Sequence, residues 1–204
     1  MAFLGSRKTK HEGSSSGDVI ALVVRYGSDD GLGALLDEDV AIYEAARVGA
    51  VSYEAPTVAD ITTRIASQRP VIVHLLATIN EAGLLSDDPG AELELRELMQ
   101  TAEDSGVGLF IIGSENRFTV LRDHIYCRRT MSFMAITERN RHYASFMRGI
   151  LATLARNPRF ALAYAALAAQ GPEPLQKGQP LPGSIAICPQ RKGGTLLLRS
   201  VAQP

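Results

Sequence analysis

Three short, nearly unbroken apolar runs limit what this chain can fold into: "DVIALVVRY" at 18–26, "RPVIVHLLA" at 69–77 and "VGLFIIG" at 107–113. A strand with one wet face alternates apolar and polar residues. A run that does not alternate is buried on both faces, as the central strands of a parallel sheet are. Between these runs the apolar residues fall at helical spacing. Leu35, Leu36, Val40, Tyr43 and Ala46 form a stripe over Ala34 to Arg47. "AVSYEA" (50–55) reads as a second strand. The next helix opens at Thr57, a capping residue with Asp60 three places on, and carries Ile61 and Ile65 inward until Arg69-Pro70 stops it. A helix over Ala91 to Glu103 turns Leu95, Leu98, Met99 and Ala102 inward, and "MSFMAIT" (131–137) supplies a fifth strand. Strands that alternate with helices predict an α/β fold, with a mostly parallel central sheet covered by helices on both faces.

Beyond the fifth strand, Tyr143, Phe146, Met147, Ile150, Leu151 and Leu154 repeat at i, i+3, i+4, i+7 and predict a strongly amphipathic helix. Another helix is expected from Asn157, a cap followed by Pro158, with Phe160, Ala163, Tyr164 and Leu167 inward. "GPEPLQKGQPLPG" is a Pro/Gly loop, and "SIAICPQ" with "GTLLLRS" is expected to close the domain as a strand pair. Residues 1–17 combine Gly, Ser and charge without periodicity, which predicts a flexible leader before a single domain over 18–204.

The chain carries 46% hydrophobic residues, enough for a sizeable core. Its net charge of −1 argues against a general nucleic-acid binder. The charge is unevenly placed: nine arginines face three acids between Glu115 and Arg159, which is either a solvated surface or a surface for an acidic partner. Two cysteines in no metal-like spacing fit a reducing compartment and no zinc site. No run of about 18 apolar residues is present, and the N-terminus lacks the apolar centre of a signal peptide, so a cytoplasmic protein without a membrane partner is expected.

Ligands of an open parallel sheet collect beyond the carboxyl ends of its strands. At the first end, "GSDDGLG" lacks the lysine of a phosphate loop and the third glycine of a dinucleotide fingerprint, and Asp29 and Asp30 would repel phosphate. It reads as a polar turn, and no cofactor is expected. His74, in the third strand, shares a side with Ile72 and Leu76 and faces away from Val73 and Leu75. It is either a hydrogen-bonded core residue or a catalyst, the former being the simpler reading. Ser114, at the fourth end, needs an adjacent base to be a nucleophile; no G-x-S-x-G elbow surrounds it, and nothing in the spacing singles out Glu115 as its partner. Glu138, Arg139, Arg141 and His142 sit beside a helix start, where they cap or solubilise the helix or bind an acidic partner; Arg148 joins Arg139 and Arg141 as a candidate partner surface. Cys127 has His124 three residues before it and Arg128 and Arg129 after it. Flanking cations favour a thiolate, although Cys–His pairs are assembled in space rather than along the chain.

The order of "YEAPTVADITTRI", "RPVIVHLLA", "AGLLSDDPGAELELRELM", "VGLFIIGSEN" and "ASFMRGILATLARNPRFALAYAALA" resembles the CHAT-type, caspase-like domains of bacteria, in the caspase-hemoglobinase clan. The likeness runs from about Val19 to Arg199 and implies a caspase-like three-layer α/β/α sandwich. Enzymes of that family cut peptide bonds with a histidine at the end of the third strand and a cysteine at the end of the fourth. Laid on the family's H-L-A-G-H-G pattern, His74 takes the first, structural histidine and Thr78 the catalytic one. Ser114 or Glu115 takes the cysteine position. The resemblance therefore implies a caspase-like domain without the dyad: a protein-interaction, scaffold or regulatory module of bacterial signalling or defence, with a caspase-like homologue or a repeat-containing protein as partner. The alternative is an active cysteine peptidase of the same fold with a non-standard site at Cys127 and His124.

Overall fold

The computed structural model describes residues 21–27, 30–85, 93–114, 131–136, 139, 141, 143–156 and 185–188. The leader, the helix expected from Asn157, the Pro/Gly loop and "GTLLLRS" lie outside these residues. The three apolar runs form the middle of one sheet as β1 (Ala21–Arg25), β3 (Ile72–Leu76) and β6 (Leu109–Ile112). With β2 (Ala50–Glu54), β7 (Ser132–Ile136) and β8 (Ile185–Cys188) they make a six-stranded sheet in the order β2-β1-β3-β6-β7-β8. All neighbours pair parallel except β8, which runs antiparallel to β7.

The side-chain period of two sorts each central strand between two cores. Ala21, Val23, Ile72, Leu76, Leu109, Ile111, Met134 and Ile136 face α1 (Asp30–Ala45) and α4 (Tyr143–Arg156). Leu22, Val24, Val73, Leu75, Phe110, Ile112, Phe133 and Ala135 face α2 (Val58–Gln68) and α3 (Leu95–Asp104). The result is a three-layer α/β/α sandwich. Its helices change face because the chain steps from β1 out to β2 and then returns across β1 to β3; right-handed crossovers in opposite directions put α1 and α2 on opposite sides. The carboxyl ends of β1 and β3 therefore meet at the point where the winding reverses, the usual place for a site in such a sheet.

Local chemistry explains the element boundaries. Thr57 and Asp60 form a reciprocal capping box at the start of α2, and Arg69 ends that helix in the left-handed region (φ 46°), its amide donating to Ile65 O. The helix α1 starts at Asp30, earlier than the apolar stripe alone indicates, and stops before Arg47, another left-handed residue (φ 58°). The expected helix over Ala91 to Glu103 is shorter at its start. Leu93–Glu94 (β5) instead pairs antiparallel with Leu84–Leu85 (β4). Just before β4, Asn80 builds a tight turn that brings Leu85 back against Ile79: its Oδ1 accepts from the amides of Ala82 and Leu84, and Gly83 turns the chain at φ 78°. "SIAICPQ" contributes the strand Ile185–Cys188, whose partner is β7.

Candidate functional site

The strands β3 and β6 pair directly, in the register His74↔Ile111 and Leu75↔Ile112, so their carboxyl ends lie side by side. Continuing that register sets Gly113 against Leu76 and Ser114 against Ala77. The Gly113 amide donates to Leu75 O at 2.8 Å. Ser114 is 2% exposed, and its Oγ donates to Ala77 O at 2.6 Å while accepting from the Ala77 amide at 3.1 Å. The hydroxyl thus replaces a rung of the ladder and clips the two strand ends together. Thr78, the next residue, is exposed. Thr78 and Ser114 thus stand at the ends of two adjacent strands, with Ala77 as the residue that Ser114 bonds. A nucleophilic hydroxyl hands its proton to a base. The Ser114 hydroxyl donates instead to a main-chain carbonyl, which is no base, and a threonine hydroxyl is none near neutral pH. Glu115, His124 and Cys127 lie outside the described residues.

One residue earlier, the opposite face of the sheet holds a buried polar cluster. His74 has no solvent exposure and lies on the α1 side, as its alternation with Val73 and Leu75 predicts. Its Nδ1 is 3.3 Å from the Tyr43 hydroxyl, and its Nε2 is 3.2 Å from Asp39 Oδ2 but out of line for a hydrogen bond. Asp39 is 1% exposed. Its Oδ1 accepts from the Tyr143 hydroxyl at 2.7 Å, and its Oδ2 accepts from Arg139 Nη2 at 2.6 Å. Arg139 also donates to Glu38 at 2.8 Å and twice to the carbonyl of Gly113, from Nε at 2.9 Å and Nη2 at 2.7 Å; its guanidinium lies 4.3 Å from the centre of the Tyr143 ring. Gly113 is required here by close approach: a Cβ on it would fall 1.9 Å from His74 Nε2.

The electrostatics follow from enclosure. Burial pushes the His74 pKa down, and the nearby Arg139 charge adds to that, while Asp39 opposes it; the net direction is a neutral imidazole. Burial, reinforced by Asp39, pushes both Tyr43 and Tyr143 well above the usual phenol range. Burial works against the Arg139 charge, and the Tyr143 oxygen, Asp39 and Glu38 more than offset it.

The cluster includes one of the arginines singled out in the sequence. Arg139 is turned inward, its side chain 7% exposed, and its guanidinium bonds Asp39, Glu38 and Gly113 O. Arg141 and Arg148 are exposed. Asp39 is not among the candidate residues that the sequence singles out. It falls on the same helix stripe as Leu36 and Tyr43, and an acid in an apolar stripe is the signal that would have found it. Among the described residues no group of three or more His, Cys, Asp or Glu could hold a metal ion, and no helix is long and apolar enough to cross a membrane. No protein-family model matches the chain, and no curated protein matches it.

Proposed function

We propose that this chain is a caspase-like α/β domain without peptidase chemistry, acting as a protein-interaction, scaffold or regulatory module, with bacterial signalling or defence as its setting. The observation that carries the reading is the Ser114 hydroxyl, buried and engaged with the Ala77 main chain as both donor and acceptor. The pairing of β3 with β6 supports the alignment behind it, since the resemblance needs the third and fourth strands of the sheet to end side by side. At those ends stand Thr78 and Ser114, neither of which can take up a proton at neutral pH. His74 offers no substitute base, because it faces the α1 side with Tyr43 and Asp39 around its ring. Of the three arginines singled out in the sequence, Arg141 and Arg148 are solvent-exposed, where an acidic protein partner would meet them.

Iodoacetamide labelling of the folded chain across a pH series tests this reading against a peptidase built on Cys127. A bystander cysteine reacts at the rate of a free thiol, with a midpoint near about pH 8.5. Faster labelling of Cys127 with a midpoint well inside the neutral range would overturn the proposal.

A further inference from the structure

His74 is surrounded by groups that carry or oppose charge. From α1 come Asp39, whose Oδ2 is 3.2 Å from Nε2, and Tyr43, 3.3 Å from Nδ1. From the chain between β7 and α4 comes Arg139, which reaches the same Oδ2 at 2.6 Å and Glu38 of α1 at 2.8 Å. From α4 comes Tyr143, which holds Asp39 Oδ1 at 2.7 Å. From the residue just after β6 comes the backbone of Gly113, so close that even a methyl group would collide with the ring. One carboxylate oxygen therefore faces two basic side chains, and only one of them is charged.

An imidazolium at His74 needs an acceptor at Nε2. The nearest is Asp39 Oδ2, since Tyr143 holds the other oxygen. Arg139 has somewhere else to go, because Glu38 is 42% exposed and already bound to it. Two cations sharing one buried oxygen repel each other, and a buried pair that loses its balance is strongly destabilised.

We propose that His74 and Arg139 compete for Asp39, so that the cluster is an acid-triggered latch on the carboxyl ends of β3 and β6. When His74 takes up a proton from solvent, Asp39 turns onto the imidazolium, and Arg139 moves outward with Glu38. Gly113 O then loses both of its bonds from Arg139, which loosens the chain just beyond β6 that carries Ser114. This does not depend on whether the strand ends ever carried a peptidase site.

Amide hydrogen exchange on the full chain tests the latch. The reporters are the Gly113 amide, bonded to Leu75 O, and the Ala77 amide, bonded to Ser114 Oγ, with β1 amides as the reference for global unfolding. At every pH the reporters open more often than β1. Between about pH 7.5 and about pH 5.5 their opening constant rises at least about tenfold: an open-state imidazole of ordinary pKa, about 6.5, gives about tenfold, and its pairing with Asp39 raises that pKa and enlarges the rise. In His74→Phe and His74→Gln the opening constant stays flat. The latch is overturned if the reporters exchange only together with β1, if wild type shows no rise, or if the rise persists in the variants.

Discussion

A single methyl group at Gly113 would occupy the place of the His74 ring. With a Cβ 1.9 Å from Nε2, Gly113→Ala forces either the ring or the strand end to move. The expected cost is about 1–3 kcal/mol, read by urea denaturation, with the far-UV spectrum unchanged. A cost near zero would mean that the ring does not pack against Gly113. Sequence alone shows little of this arrangement. His74 is legible as a core residue from strand alternation, but its neighbours come from positions 39, 43, 139 and 143, and no local pattern couples them. Arg139 illustrates the difficulty: in sequence it is one basic residue among several beside a helix start, and only the fold reveals that it turns inward to a carboxylate a hundred residues earlier.

At the scale of elements, most of the fold was legible because period and capping agree. The box at the start of α2 is an example. Thr57 Oγ1 accepts from the Asp60 amide at 3.2 Å, and Asp60 Oδ2 accepts from the Thr57 amide at 3.2 Å and from its hydroxyl at 2.7 Å. Thr57→Ala removes the side-chain half of that box, and the chain should lose about 1 kcal/mol in a urea melt. No loss would show that the tertiary contacts of Val58, Ile61 and Ile65 alone fix the helix start. The hairpin of β4 and β5 was not legible, because two residues per strand are too few to show an alternating period. The turn that leads into β4 rests on the side chain of Asn80, a device equally invisible to hydrophobic patterning. In α4 the stripe was plain, and Tyr143, Phe146, Met147, Ile150 and Leu151 are all buried as it requires.

For the whole molecule, the buried cluster ties four elements of one face together and makes stability depend on pH. The His74 pKa is lower in the folded chain than in the unfolded one, so below about pH 6.5 the unfolded state binds a proton that the folded state excludes. Its contribution is intact above that pH and is lost as pH falls, at up to about 1.4 kcal/mol per unit. Urea midpoints should decline through this window in wild type and decline less in His74→Gln; parallel curves would remove His74 as the cause. The α/β class itself followed from the three apolar runs, because only a sheet covered on both faces buries them. The order of the strands did not, since it depends on which faces the crossovers take. That order makes β3 and β6 neighbours and sets Thr78 and Ser114 at adjoining ends, the positions to which the proposed caspase-like alignment assigns base and nucleophile. The most direct measurement is therefore cleavage of a diverse peptide library by the full chain at neutral pH, read by mass spectrometry beside Thr78→Ala and Cys127→Ser. The account predicts no cleavage by any of the three; cleavage by wild type that disappears in either variant would contradict it.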